Sequence, residues 1–228
     1  LYNVAFILVN MVVGIAIAIL ITEVKNIKLK KLYQSAILLP FLMSMVILSY
    51  IVYALLSAEN GLVNNSILPL FHMDPIQWYQ KPKYWPAILI IANCWKGVGY
   101  GCLIYIASLI GIDPSFYEAA RLDGASKWQE ITKITLPSLV PTIITLLLLS
   151  IGRIFYSDFG LFYQVPMNSG VLFPTTNVID TYVYRALIEQ GNISMSSAAG
   201  VYQSLVGFCV VMLSNWIVRK VDKDQALF

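Results

Sequence analysis

The chain has 228 residues, of which 58% are hydrophobic and 12% charged, with a net charge of +3. Soluble domains carry about 25% charged residues, so this chain has too little polar surface to coat a globule, and its apolar residues come in long runs, not at helical or strand spacing. A greasy soluble core is excluded, no basic run with interleaved aromatics points to nucleic acid, and the chain reads as an all-α integral membrane protein.

Five segments are long enough to cross about 30 Å of hydrocarbon as helices: residues 1–22, 34–56, 86–110, 139–155 and 196–218. The first begins inside an apolar run without Met or a leader-like cleavage site, so a preceding segment is expected. The connection after it holds Lys25, Lys28, Lys30 and Lys31, the connection before the fourth holds Arg121, Lys127 and Lys133, and the tail holds Arg219, Lys220 and Lys223. These ten face only Lys81, Lys83 and Arg185 on the other side. Alternation of the spans puts all three basic connections on one face, which the positive-inside rule makes cytoplasmic. Two long connections, 57–85 and 156–195, are then outward; both are rich in aromatics, Asn and Pro, and they carry the sequons at Asn64 and Asn192.

Cys94, Cys102 and Cys209 fall inside spans and read as small buried hydrophobes. Cys94 and Cys102 lie about 12 Å apart along one helix, too far for a disulfide. His72 has no Cys or His near it in sequence, so no metal site is expected.

The longest polar stretch, "YEAARLDGASKWQEITKITLPSLVP", occupies residues 117–141. Asp113 with Pro114 opens a short helix, since Pro at the first helical position loses no hydrogen bond; Ser115 and Glu118 offer a capping box as an alternative start. Phe116, Ala119 and Ala120 share a face, and Asp123-Gly124 supplies a stop. Ser126 with Gln129 opens a second helix, which Pro137 is expected to end. The result is a helix-turn-helix over residues 113–137 with small residues at its bend, a handle that another protein's backbone can approach closely; a helix resting on headgroups is the competing reading.

Two charges lie within spans, Lys96 in the third and Arg153 in the fourth. Such charges face a bundle interior or a wet cavity. Arg153 is followed by Tyr156, Asp158, Phe159, Phe162 and Tyr163, aromatic faces beside hydrogen-bonding groups of the kind that hold polar ligands, so Lys96, Arg153, Tyr156, Asp158 and Phe159 are candidate residues of a path through the spans. A buried pair made by Arg153 with Asp158, or by Lys96, together with an interfacial aromatic belt, is the alternative. Gly97 and Gly101 have the small-xxx-small spacing of close helix packing.

The residues Glu118-Ala119-Ala120, Asp123-Gly124-Ala125, Ile134, Leu136, Pro137 and Pro141 resemble the EAA loop of ABC-importer permeases that depend on a solute-binding protein. Ile131 departs from the pattern, where many relatives carry Phe, but stays apolar. "WKGVGYG" (95–101), "IGRIFYSDFGLFY" (151–163) and "TYVYRAL" (181–187) are similar to the carbohydrate-uptake branch that imports oligosaccharides and polysaccharide fragments. The resemblance implies a type I ABC-importer permease bundle in a prokaryotic plasma membrane, with a core of six helices of which the first would precede this chain. It implies a coupling helix at Glu118, Ala119, Ala120, Asp123, Gly124 and Ala125 docked on an ATPase. It also implies a second homologous permease, two ABC ATPase subunits carrying ATP and Mg, and an extracellular or periplasmic solute-binding protein that delivers the saccharide. The chain has no G-x-x-x-x-G-K-[ST] run, so it is expected to be non-catalytic. An ion-coupled transporter would place acidic residues at the midplane and show inverted repeats, and a membrane enzyme would need a polar cluster within spans; neither pattern is present. The same family carrying another polar solute, a peptide or polyol, stays open.

Overall fold

A computed structural model describes residues 1–221; Lys223, counted above with the basic tail, lies outside the described residues. Every regular element among the described residues is helical. In chain order these are α1 (Tyr2–Thr22), α2 (Ile27–Leu42), α3 (Met45–Leu56), α4 (Trp85–Ile110), α5 (Pro114–Leu122), α6 (Lys127–Ile151), α7 (Phe159–Gln164), α8 (Ile179–Ile188) and α9 (Ile193–Val221), with short π and 3-10 turns between them. The helices α1, α4, α6 and α9 are each long and apolar enough to cross a bilayer, and only 17% to 28% of their most apolar stretches is buried. Faces as apolar as Val4, Leu8 and Val12 on α1 or Val201, Leu205 and Phe208 on α9 stay exposed. Water does not tolerate such a surface; acyl chains or an apolar neighbour do.

Two expectations about the spans are corrected. The second span, 34–56, is not one helix: α2 starts earlier and ends at Leu42, and the chain breaks before α3 starts at Met45. Pro40 removes the donor to the Ala36 carbonyl. Ser44 then takes an extended conformation (φ −68°, ψ 156°), and its Oγ accepts from Ile47 N–H at 3.3 Å to start α3. The fourth span does not begin near residue 139, and Pro137 does not end a separate helix. A proline ring strikes the carbonyl four residues back in a regular α-turn. Here Ile131–Thr135 widen to π geometry, with the Leu136 N–H reaching the Ile131 carbonyl, and the helix continues through Pro137 and Pro141.

The contacts divide the chain into two compact units. The first comprises Leu1–Phe6, Leu42–Lys96 and Arg153–Cys209. Its core is Trp85, Leu89, Leu161, Phe162, Val165 and Leu172, with Tyr2 edge-on to Phe162 at 5.0 Å. The Trp85 indole would be costly to bury with its N–H unpaired; it donates to the Trp78 carbonyl at 2.9 Å. Asn64, in the first of the two long connections, is not a surface side chain. It is buried, and its amide donates to the carbonyls of Ser57, Ala58 and Ile76 while its oxygen accepts from the Ile76 N–H and the Trp78 indole. Asn192 is exposed, where it caps α9 by accepting from the Met195 N–H.

The second unit holds Ile7–Phe41, Gly97–Gly152 and the chain from Val210. Ala18, Ile21, Cys102, Tyr105, Ile106, Leu109 and Leu139 form its core. All three cysteines are unpaired, but of them only Cys102 is buried; Cys94 is half-buried and Cys209 exposed. The close approach in α4 also differs from the expected Gly97–Gly101 pair. Gly99 lies against α2, where an added Cβ would sit 2.2 Å from the Ile37 carbonyl oxygen, whereas one at Gly101 would meet nothing within 4 Å. Overpacking of this kind costs about 1–3 kcal/mol. Gly99→Ala is therefore expected to lower the thermal midpoint of the detergent-solubilised protein, followed by tryptophan fluorescence, while Gly101→Ala leaves it unchanged. Equal midpoints for the two variants would refute the α2–α4 contact.

Candidate functional site

The handle is built by local rules that agree with one another. Asp113 caps α5, its carboxylate accepting from the Ser115 N–H at 2.9 Å. That bond holds the Asp113 carboxyl below its usual range. At the other end the Ala125 N–H reaches the Ala120 carbonyl at 2.9 Å and the Gly124 N–H the Arg121 carbonyl at 3.1 Å. This is a Schellman closure, and it needs Gly124 at φ +77°. The space beside Gly124 is open, so its backbone angle is what selects glycine here. Ser126 and Gln129 form the expected capping box, Ser126 N–H to Gln129 Oε1 at 2.7 Å and Gln129 N–H to Ser126 Oγ at 3.4 Å.

Between the two helices sits a carboxylate that sequence reasoning did not single out. The Glu130 side chain is 4% exposed. Its Oε1 accepts from Arg121 Nε at 2.8 Å and its Oε2 from Lys127 Nζ at 2.9 Å. Lys127 also reaches both oxygens of Glu23, just past the end of α1, at 3.2 Å. Glu130 and its hydrogen bond keep the Arg121 guanidinium even more firmly charged than usual. Tyr117 adds a second tie from α5 to α6, its hydroxyl 3.0 Å from Thr135 Oγ1. The Lys127–Glu130 spacing of three was visible in sequence; the Arg121 partner lies across a turn and was not.

Of the predicted contact residues, Glu118, Ala119, Asp123 and Gly124 are exposed, and Ala120 and Ala125 are half-buried. The structure adds three apolar side chains to that surface: Phe116, Leu122 at 89% exposure and Trp128 at 72%. Both Leu122 and Trp128 stand in the most polar stretch of the chain, and that placement was the available signal.

The predicted path residues all fall in the first unit, but they do not form one cluster. Lys96 donates to the Met43 carbonyl at the break between α2 and α3. Asp158 caps α7 by accepting from the Leu161 N–H at 3.1 Å. Among the described residues it makes no ion pair with Arg153, which is exposed, so the alternative of a buried Arg153–Asp158 pair is corrected. Tyr156 shares a hydrogen bond with Ser204 at 2.9 Å. Phe159 belongs to an aromatic group, stacked on Tyr163 at 4.8 Å and packed on Tyr184 at 4.7 Å.

Sequence reasoning also missed what holds residues 154–157. Asn3 donates to the Ile154 and Tyr156 carbonyls, Gln203 to the Phe155 carbonyl at 2.9 Å, and Asp180 accepts from the Ser157 N–H at 2.8 Å. Nearby Arg185 is buried, with Asn168, Asn177 and Thr181 as acceptors and the Phe173 ring 4.2 Å away. No group of three metal-ligating side chains occurs among the described residues.

A family model described as "Binding-protein-dependent transport system inner membrane component" matches residues 11–223. The chain is 34% identical over 217 residues to the polygalacturonan/rhamnogalacturonan transport system permease protein YteP of Bacillus subtilis, covering 93% of this chain and 65% of that one. It is 30% identical over 187 residues to the lactose transport system permease protein LacF of Rhizobium radiobacter, covering 80% of this chain and 62% of that one. It thus spans just under two thirds of the length of these curated relatives. A solved bacterial alginate ABC transporter, in complex with an alginate pentasaccharide-bound periplasmic protein, contains a chain of TM-score 0.88 and 31% identity, covering 97% of this chain and 77% of that one.

The Glu130 contacts generate a test that needs no partner. Glu130 is the group that Arg121 and Lys127 share, so removing it frees both exposed cations from the handle. Glu130→Ala is expected to make tryptic cleavage after Arg121 and Lys127 several-fold faster in the solubilised protein, while Glu118→Ala, on the exposed face, leaves the rate unchanged. Identical digestion of both variants would show that Glu130 does not hold the handle.

Proposed function

This chain belongs to the binding-protein-dependent transport system inner membrane components, and on that footing we propose that it forms half of the translocation pathway of an ATP-driven importer for an oligosaccharide. The observation that carries this reading is the handle, an exposed helix locked by Glu130 to the start of a 25-residue apolar helix. A short helix fixed to a span in this way moves with it as one body. Pressure from an ATPase on α5 would be delivered to α6, not lost at a hinge.

In this reading the basic connections face the cytoplasm. Glu118, Ala119, Ala120, Asp123, Gly124 and Ala125 meet a cleft of the ATPase, with Leu122 and Trp128 as apolar anchors. Exposed aromatic and large aliphatic side chains desolvated at the centre of an interface supply most of its binding energy. The chain itself is non-catalytic; ATP and Mg are held by two partner ATPase subunits. A second homologous permease completes the path, and a solute-binding protein delivers the cargo. A saccharide fits the aromatic group of Phe159, Tyr163 and Tyr184, whose faces suit C–H stacking and whose hydroxyls can bond polar groups. The three similar proteins described above are named for polygalacturonan/rhamnogalacturonan, lactose and alginate, each a saccharide.

Co-purification from solubilised membranes tests the handle. The native chain is expected to bring down an ATPase and a second permease, and the Glu118→Lys, Gly124→Trp double variant to lose the ATPase alone. If neither form retains an ATPase, the handle is a lipid-lying helix and the reading fails. The cargo is tested separately with the reconstituted complex and its binding protein: oligosaccharides should stimulate ATP hydrolysis several-fold, and peptides or polyols should not. Stimulation by a peptide or polyol instead would reassign the cargo and leave the coupling role intact.

A further inference from the structure

The segment joining α1 to α2 carries chemistry that the import reading does not use. The 21 residues of α1 span about 31 Å at 1.5 Å each, the thickness of the hydrocarbon layer. Only residues 23–26 separate α1 from α2, so the chain that follows stands at headgroup level. There it places Lys25, Lys28, Lys30 and Lys31 within seven residues. Lys25, Lys28 and Lys31 are exposed, and Lys30 is half-buried.

None of the four is in an ion pair among the described residues. The one acid beside them, Glu23, already has both oxygens on Lys127. The first turn of α2 contains no acidic residue, so four cations sit at the positive end of a helix dipole without a counter-charge. That arrangement repels itself and calls for an anion. Its other face names the anion's carrier. At about 100° per residue Leu29, Leu32 and Tyr33 share one arc of α2, and all three are exposed, with Ile27 beside the lysines. A soluble anion makes no use of this apolar arc. A phospholipid uses both parts: its headgroup meets the ammonium groups, its acyl region meets Leu29 and Leu32, and Tyr33 takes the interface.

We infer that residues 25–33 form a binding site for anionic phospholipid. Juxtamembrane clusters of four or more basic residues bind acidic headgroups through additive, salt-sensitive attraction. The site lies next to the Glu23–Lys127 contact, so headgroup charge acts beside the base of the handle without touching its exposed face.

The complete importer, purified in mild detergent and equilibrated with equal phosphatidylglycerol and phosphatidylcholine, provides the test, with retained lipid counted by native mass spectrometry. The native chain is expected to retain phosphatidylglycerol preferentially, and less of it as salt rises. Changing all four lysines to Gln should cut that retention by at least about tenfold, and changing all four to Arg should preserve it. Millimolar inorganic phosphate should not displace the lipid, because it offers nothing to the apolar arc. Equal retention of the two lipids by the native chain, or undiminished phosphatidylglycerol on the Gln variant, overturns the site. Displacement by phosphate would make it a free-anion site. Loss of an ATPase subunit from the Gln variant with lipid retention unchanged would make it a protein contact. Should the Gln variant fail to assemble, the native chain's lipid preference and its salt dependence decide.

Discussion

One carboxylate connects the water-facing and membrane-facing parts of this molecule. Glu130 is nearly inaccessible, and a charge so placed is costly unless it is paired and hydrogen-bonded. Arg121 supplies one partner from α5 and Lys127 the other from the first turn of α6. The same contact therefore neutralises the carboxylate and fixes the angle between a short surface helix and a long apolar one. Because Lys127 also holds Glu23, the end of α1 is drawn into the cluster. The exposed Lys127–Glu23 pair alone would contribute little; its role is to extend a buried cluster to a third element.

A lever also requires an unbroken shaft, and the chain reaches this despite two prolines. In a regular helix Pro137 would open a kink at the boundary where polar sequence gives way to apolar. The π turn at Ile131–Thr135 removes the clash by widening the helix just before it. Thr135 lies in that turn, its hydroxyl donating to the Glu130 carbonyl and paired with Tyr117 of α5. The irregularity is thus bonded to the handle and is held, not loose. Contrast the α2–α3 break, where Pro40 is followed by Ser44, which caps a new helix. Proline alone does not decide between passage and break; the caps and side-chain bonds around it do.

This contrast shows what the sequence carried. The caps at Asp113, Ser126 and Gln129 and the Gly124 closure were legible because each depends on residues within five positions of each other. The apolar stretches of the four long helices were legible because bilayer thickness dictates their length, but the polar first turns of α6 were not. The family resemblance was legible from the residues around the handle. The Arg121–Glu130 pair was not, because it crosses a turn whose angle no periodicity gives. Neither was Gly99: three glycines at alternate positions offer several faces, and only the position of the Ile37 carbonyl selects one. The burial of Asn64 was not legible for a related reason, since a three-residue pattern says nothing about which carbonyls surround it.

The path residues show the same limit and its physical content. Where α6 stops, its last carbonyls lose their helical donors, and irregular backbone beside a span persists only where protein groups satisfy it. Asn3 from α1, Asp180 from α8 and Gln203 from α9 do this for residues 154–157, each side chain replacing bonds the helix no longer makes. The polar side chains of this region therefore divide by role. Asp158 is committed to the start of α7 and Lys96 to the α2–α3 break, so both shape the unit. Arg153 and Tyr156 are exposed on a loop that three helices hold still, and Phe159 lies half-buried in a ring group held by stacking. Exposed side chains are thus carried here on backbone that side chains of three helices hold in place, which is the combination the proposed saccharide path calls for.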